Sequence, residues 1–267
     1  MPKVITLHSY RGGAGKTVVA AHLAALLCAR GRRVALVDAD LRAPGLHVVF
    51  GLEDAALGLT LNDYLGGRCD IGEVAREVGI EERGSADGAL YIVPASLKPG
   101  HIARVLREEY DLARLHEGVQ RLLQDQAIDH VIIDTHAGFN EEALLAMAVS
   151  EILLLILRPD RQDHLGTAAM LDVARTLRAT PLLLLNKVMP SSDAARLEAE
   201  VQLACRAPVA ATLRLCTERF QLGSRAVADA TDPAHPFTQV LGSVVDQLIG
   251  SAAPRRSPAG VSQSNGA

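Results

Sequence analysis

The stretch that most constrains this chain is the glycine-rich segment Ser9–Thr17, with the sequence SYRGGAGKT. It follows a short aliphatic and β-branched run, residues 4–7, and opens an apolar helical run, residues 18–30. Between a strand and a helix, such glycines let backbone N–H groups point at phosphate oxygens, and the positive helix N-terminus faces the same anion. The sequence therefore predicts a phosphate-binding loop, in which Lys16 reaches the β- and γ-phosphates and the Thr17 hydroxyl ligates Mg²⁺.

The alternative for this segment is a glycine-rich turn that binds no ligand. The flanking strand and helix stand in the right places, and Lys16 and Thr17 occupy the positions that a phosphate loop requires. We therefore favour a nucleotide site. Its predicted contacts in this segment are Gly12, Gly13, Ala14, Gly15, Lys16, Thr17 and Val18.

The rest of the chain alternates apolar strand-like runs with helical runs. Because the strand-like runs are apolar throughout, they predict a parallel sheet that is covered on both faces. Aromatic residues make up only 3% of a chain that is 49% hydrophobic, which agrees with an aliphatic core. The predicted fold class is α/β, a single doubly wound, mostly parallel sheet in one domain, residues 1–250, followed by a disordered tail, residues 251–267. Strands are expected at 33–40, 90–94, 130–134, 152–157, 182–186 and 209–213, and helices include 71–78 and 237–249.

Composition and charge argue against several classes of protein. The net charge of −4 gives no overall nucleic-acid character, and the four cysteines form neither a CxxC pair nor metal-ligand spacing. We find no apolar run of the roughly 18 residues that a membrane-spanning helix needs, and no signal peptide before the phosphate loop. These observations predict a soluble, cytoplasmic protein with reduced thiols.

Acidic residues that end buried strands form the second group of candidates. Asp134 ends the apolar run 130–134, and Asp38 and Asp40 end the run 33–40. A phosphate loop needs acids to hold Mg²⁺ and to place the attacking water, because phosphoryl transfer depends on positioning and charge neutralisation. The alternative is that these aspartates only cap turns.

Three motifs carry a resemblance to a known family. The segment from Arg11 to Thr17 resembles the deviant Walker A motif of the MinD/ParA ATPases, Lys-Gly-Gly-x-Gly-Lys-Thr/Ser, with Arg11 in place of the first lysine. The run DTHAG, residues 134–138, resembles the family's Asp-Thr-Pro-Ala-Gly switch II, with His136 in place of proline. Residues 38–46 resemble a MinD-type switch I. The resemblance covers residues 4–249 and is strongest in these motifs.

The resemblance implies a dimer that sandwiches two ATP molecules, with slow hydrolysis that a partner protein stimulates. Arg11 would reach the partner's phosphates, Asp38 would support the magnesium shell, and Asp40 would orient the attacking water. The implied catalytic residues are Asp40, Lys16 and Arg11, and the implied metal residues are Thr17, Asp38 and Asp134. His136 receives no catalytic role. The implied function is to position a cargo: a chromosome or plasmid region, a division site or a protein assembly.

Base recognition is predicted at Asn186 and Lys187, which follow an apolar strand. The pair resembles the Asn-Lys-x-Asp motif of GTPases, but Met189 stands where the guanine-reading aspartate would be. Asn186 can still hydrogen-bond an adenine edge. We therefore predict ATP and Mg²⁺ as the cofactors.

Other functions and partners are weighed against this one. A nucleotide-binding scaffold with little turnover stays open because of Arg11. A cofactor or metal-centre maturation NTPase would have paired cysteines, and a tyrosine-kinase relative would have a tyrosine-rich tail; this chain has neither. The tail shows no amphipathic membrane helix. Non-specific DNA, and with it the nucleoid, is a candidate partner through Arg206, Arg214, Arg219 and Arg225, although a solvated helical face is an equal alternative.

Overall fold

The computed structural model describes residues 3–53, 56–79, 88–107, 110–111, 113–177, 179–216 and 232–250. The predicted tail, residues 251–267, therefore lies outside the described residues. The strands are β1 (Lys3–His8), β2 (Arg33–Ala39), β3 (Arg76–Val78), β4 (Ala89–Val93), β5 (His130–Thr135), β6 (Ile152–Leu157), β7 (Thr180–Val188) and β8 (Val209–Arg214). The helices are α1 (Lys16–Ala29), α2 (Leu46–Val49), α3 (Leu61–Leu65), α4 (Ile71–Val74), α5 (Pro99–Leu106), α6 (Arg114–Asp125), α7 (Glu141–Ala148), α8 (Arg161–Ala174), α9 (Ala194–Cys205) and α10 (Pro236–Gly250).

The described strands form one eight-stranded sheet in the order β3-β4-β2-β5-β1-β6-β7-β8. All neighbouring strands pair in parallel except β3, which runs antiparallel to β4 at the edge. The predicted mostly parallel sheet is therefore confirmed. The helix predicted at 71–78 is wrong in its second half, because Ala75 is extended and the next three residues pair with β4. A short apolar run does not distinguish a helix from an edge strand.

Helices cover both faces of the sheet, as the doubly wound prediction requires. On one face, Ile5 and Leu7 of β1 pack in a cluster with apolar residues of α1 and α10. On the other face, Val4 packs with residues of α3, α4 and α6. Leu153 of β6 packs there with residues of α8 and α9. No helix among the described residues combines the length and apolarity needed to cross a membrane.

The parallel register brings the predicted motifs to one edge of the sheet. Asp134 lies opposite Leu7 of β1 and opposite Asp38 of β2. The loops that follow β1, β2 and β5 therefore start side by side at the carboxyl ends of three adjacent strands. In open α/β sheets, ligands bind in the crevice at this edge.

Candidate nucleotide site

The loop between β1 and α1 has the backbone shape of a phosphate loop. Gly13 and Gly15 adopt φ of 76° and 97°, a left-handed conformation that favours glycine. Gly15 is the N-cap of α1, and a Cβ at this position would lie 2.5 Å from the Nδ2 atom of Asn186. The loop is therefore closed tightly over the helix N-terminus, where its N–H groups can face an anion.

Lys16, the first residue of α1, directly follows this loop and is buried, at 7% exposure. Its Nζ donates to the Ser9 hydroxyl at 3.1 Å, and that hydroxyl donates to the Arg11 carbonyl. Burial lowers the Lys16 pKa, whereas the charges of Asp134 and Asp40 oppose this change. Ser9, to which the sequence assigned no role, thus holds the lysine against the loop.

Asp134 is the buried acid at the centre of the site. The Thr17 hydroxyl hydrogen-bonds to its carboxylate. Burial raises the Asp134 pKa from 3.8 to about 6, and the Thr17 hydrogen bond and the charge of Lys16 only partly offset this rise. A positive charge beside the carboxylate, in addition to that of Lys16, would lower the free energy needed to keep Asp134 ionised.

A magnesium ion fits this arrangement. The Oδ1 atom of Asp134 is buried and accepts no hydrogen bond from the residues that the structure describes. Mg²⁺ takes oxygen ligands and is commonly held by one or two carboxylates together with phosphate oxygens. Thr17 and Asp134 thus lie together, and their binding of Mg²⁺ stays a prediction.

Asp38 and Asp40 lie at the end of β2 but have different surroundings. Asp38 is fully buried, and its carboxylate accepts hydrogen bonds from the backbone N–H groups of Asp40, Gly45 and Leu46. Burial, and next the Asp134 charge, raises its pKa well above the usual range. Asp38 therefore fixes the course of residues 38–46, the segment that resembles switch I, beside Asp134.

Asp40 contacts His136, the residue that stands in place of proline in the segment that resembles switch II. Its Oδ1 accepts the Ala43 N–H at 2.9 Å and lies 2.8 Å from the Nδ1 of His136. This contact could not be predicted from sequence patterns, because 96 positions separate the two residues. The one available signal was the replacement of proline by a side chain that can donate a hydrogen bond.

Arg11 pairs with acids of its own chain. Its guanidinium lies 3.7 Å from Asp160 and 3.8 Å from Asp163, and its side chain is 40% exposed. The preceding residue, Tyr10, packs on α8, where a Cβ at Gly166 would overlap its ring. The predicted contact of Arg11 with a partner subunit stays a prediction.

The base-recognition residues Asn186 and Lys187 brace the phosphate loop. Asn186 donates from Nδ2 to the Ala14 carbonyl at 2.8 Å, and Lys187 donates from Nζ to the Gly13 carbonyl at 2.7 Å. The Oδ1 of Asn186 also accepts the Lys187 N–H. The adenine contact predicted for Asn186 would use the second N–H of its amide or the second lone pair of that oxygen.

An apolar cavity of about 200 Å³ adjoins the loop on this side. Its lining combines Gly13, Gly15 and Val18 with Phe237 of α10 and Leu215 after β8. A flat base attached to a nucleotide on the loop could enter such a cavity. The sequence did not indicate Phe237 or Leu215, because they come from distant segments.

Two of the four arginines predicted to bind DNA lie within the described residues. Arg206 caps the end of α9, before β8, whereas Arg214 is the last residue of β8. The strand therefore separates them. Arg214 also donates to the carbonyls of Met189, Pro190 and Ser192. Arg219 and Arg225 lie outside the described residues.

The buried carboxyl of Asp134 leads to a prediction for the nucleotide-free protein. Because its pKa is higher in the folded state, the folded protein binds more protons, and stability falls as pH rises from about 4 to about 6. The loss approaches about 3 kcal/mol, from roughly 1.4 kcal/mol per pKa unit. We expect Asp134→Asn to be more stable than wild type at pH 7.5 but not at pH 4. Urea unfolding at both pH values measures this.

The control for this experiment is Asp172→Asn, which changes a carboxylate that is 73% exposed. It should leave the pH dependence of unfolding unchanged. Equal slopes of stability against pH for Asp134→Asn and wild type would contradict the expected cost of the buried carboxylate.

Comparisons with known proteins agree with this fold. The family model described as the CobQ/CobB/MinD/ParA nucleotide binding domain matches residues 5–225. An uncharacterised ATP-binding protein of Methanocaldococcus jannaschii is 30% identical over 168 residues, 60% of this chain and 54% of that protein. The septum site-determining protein MinD of Bacillus subtilis is 31% identical over 160 residues, which are also 60% of this chain and 54% of that protein. The chain thus spans about half the length of these relatives.

One solved structure similar to this chain is MinD of Pyrococcus horikoshii in complex with Mg-ADP. It matches with a TM-score of 0.77 and 22% identity, over 93% of this chain and 96% of that chain. At this level of identity, the match shows a shared fold.

Proposed function

Because the chain belongs to the CobQ/CobB/MinD/ParA nucleotide-binding domain family, we propose that it is a Mg²⁺-dependent ATPase that dimerises on binding ATP and positions a cellular cargo. The observation that carries the proposal is the convergence of Lys16, the first residue of α1, with Asp134 and Asp40 at the carboxyl ends of β5 and β2. One buried cation and two acids around a glycine-rich loop are the parts that phosphoryl transfer requires.

Each residue has a distinct part in the proposed reaction. The loop from Gly12 to Thr17 binds the phosphates through its N–H groups, and Lys16 adds a positive charge at the β- and γ-phosphates. Thr17 and Asp134 hold Mg²⁺, with Asp38 supporting the same position. The bound metal supplies charge neutralisation on the phosphate oxygens. Asp40 orients the attacking water.

The switch segments would couple hydrolysis to a change of shape. Arg42 of switch I lies 3.5 Å from Glu142 of α7, the helix that follows switch II, so that switch I also contacts this helix. In switch proteins of this kind, the γ-phosphate orders such segments and its loss releases them. We propose that the ordered segments form the homodimer and that a partner protein accelerates a slow hydrolysis.

The cargo is a chromosome or plasmid region, a division site or a protein assembly. The MinD relative, named for determining the septum site, supports this class of function. Non-specific DNA is a weaker candidate partner, because Arg206 precedes β8 and Arg214 ends it, so that the strand separates the two arginines. We propose a cytoplasmic location, with recruitment to the cargo.

We expect the protein to bind ATP at least about 10-fold more tightly than GTP. Met189 stands where a guanine-reading acid would be, so the guanine N–H groups would lose a hydrogen-bond acceptor on binding. Competition of unlabelled ATP and GTP against a fluorescent ATP analogue measures the ratio. Equal affinities would contradict this assignment of the base.

The proposed function is tested by turnover and sedimentation together. We expect wild type to release phosphate slowly from Mg·ATP, and Asp40→Ala to accumulate as a dimer in Mg·ATP but not in Mg·ADP. A scaffold with little turnover would instead bind ATP without releasing phosphate. If the wild-type protein bound no nucleotide, the proposed ATPase function would be wrong.

A further inference from the structure

We propose that His136 is a positioning residue that orients Asp40 for ATP hydrolysis; this inference rests on the proposed ATPase function. The His136 Nδ1 lies 2.8 Å from the Asp40 Oδ1, a hydrogen-bonding distance. Asp40 Oδ1 belongs to a carboxylate and accepts, so Nδ1 donates. The neutral Nδ1–H tautomer and the imidazolium both carry this proton, so either form of the ring can donate it.

The sheet places the two residues side by side. Ala39 and Thr135 are opposite each other in the parallel pair β2–β5, and Asp40 and His136 are the next residues of the two strands. The hydrogen bond thus joins switch I to switch II directly beyond the paired strand ends. The proline that the family has at this position carries no side-chain donor and could not form this bond.

The two carboxylate oxygens of Asp40 differ in their hydrogen bonds. Oδ1 accepts hydrogen bonds from His136 and from the Ala43 N–H. Oδ2 accepts none from the part of the chain that the structure describes. One oxygen is therefore anchored from two sides, and the other is left to act on water. Asp40 also interacts with the charges of Lys16 and Asp134, which places it at the phosphate end of the site.

Anchoring matters because a loosely held carboxylate orients water poorly. A displacement of about 1 Å at a reacting group can cost about 100-fold in rate. The Asp40 side chain is only 16% exposed, and the His136 side chain is 35% exposed. The hydrogen bond thus lies at the rim of the site, where it can fix Asp40 without blocking the approach of a nucleotide.

The test compares three variants in single-turnover ATP hydrolysis. We expect His136→Ala to lower the rate by about 100-fold, with ATP affinity within twofold of wild type, because Lys16 and the loop bind the phosphates. His136→Asn should restore most of the rate, since its Nδ2 branches from the chain at the same point as Nδ1 of histidine. The matched control is His116→Ala, at an exposed position on α6.

Two further measurements separate positioning from a general loss of structure. The rate of Asp40→Ala should not fall further when His136→Ala is added, because the two residues act as a unit. In the nucleotide-free protein, hydrogen exchange of residues 38–46 should accelerate in His136→Ala and not in His136→Asn. The Ala43 N–H, which donates to Asp40, is the amide expected to lose protection.

Three results would overturn the proposal: a His136→Ala rate within twofold of wild type, no rescue by His136→Asn, or additive effects in the double variant. If wild type itself released no phosphate, the proposed ATPase function would fail. Hydrogen exchange would then still decide whether His136 holds Asp40, and unchanged exchange in His136→Ala would refute the contact itself.

Discussion

Replacement of Lys16 by alanine is expected to weaken ATP binding by more than about 100-fold. The lost ammonium would make charge-assisted hydrogen bonds to the β- and γ-phosphates, and about 1.4 kcal/mol corresponds to each tenfold change in affinity. The wild-type lysine is already held in place by Ser9, so little ordering is required when the nucleotide arrives. Titration calorimetry with Mg·ATP measures the loss.

The matched control is Lys187→Ala. That amine also lies beside the loop, but it donates to the Gly13 carbonyl and so braces the backbone. We expect a loss of affinity below about 10-fold, of the size of one hydrogen bond. If Lys16→Ala, shown to be folded by circular dichroism, bound Mg·ATP as wild type does, the phosphate loop would be wrongly assigned.

Replacement of Arg11 by alanine is expected to abolish ATP-dependent dimerisation and to leave ATP binding by the monomer nearly intact. The ion pairs of Arg11 with Asp160 and Asp163 are long, and the arginine is 40% exposed. The pair with Asp160 is exposed on both sides and contributes at most about 1 kcal/mol. The buried Asp163 keeps its closer ion pair with Arg158, at 2.9 Å, so the guanidinium of Arg11 can leave both acids at small cost. Once released, it can donate to two phosphate oxygens of a partner subunit.

Sedimentation of Asp40→Ala protein in excess Mg·ATP, with and without Arg11→Ala, measures this effect. Arg11→Lys should retain much of the dimer, because it restores the residue of the family motif. Arg161→Ala removes another exposed arginine near the same acids and should leave the dimer fraction unchanged. An unchanged dimer fraction in Arg11→Ala would mean that Arg11 makes no contact with a partner subunit.

The fold was predictable where the information is local. Glycine spacing between a strand and a helix predicts the phosphate loop, and continuous apolar runs predict buried parallel strands. Asp134 and Asp38 were predictable as acids that end apolar strands, and the parallel register places both at one edge of the sheet. The edge strand β3 was missed, since its pairing with β4 is a tertiary contact that overrides a short helical pattern.

The parts of the site that the sequence did not predict depend on long-range contacts. The bond between Asp40 and His136 crosses 96 positions, and the one between Asn186 and Ala14 crosses 172. Asn186 was assigned to the base because its motif resembles a guanine-binding one. In the structure its amide is hydrogen-bonded to the loop backbone. A motif identifies the side chain but not the partner that the fold supplies.

The packing of Tyr10 on α8 limits how this protein could be stabilised by design. Gly166 lies inside that helix, where alanine would ordinarily add about 1 kcal/mol of stability. Here an added methyl group would occupy the space of the Tyr10 ring and displace it. Since Arg11 is the next residue, a substitution that a consensus approach would favour for its helix propensity would disturb the backbone segment that carries the guanidinium. Thermostabilised variants of this chain should therefore keep glycine at position 166.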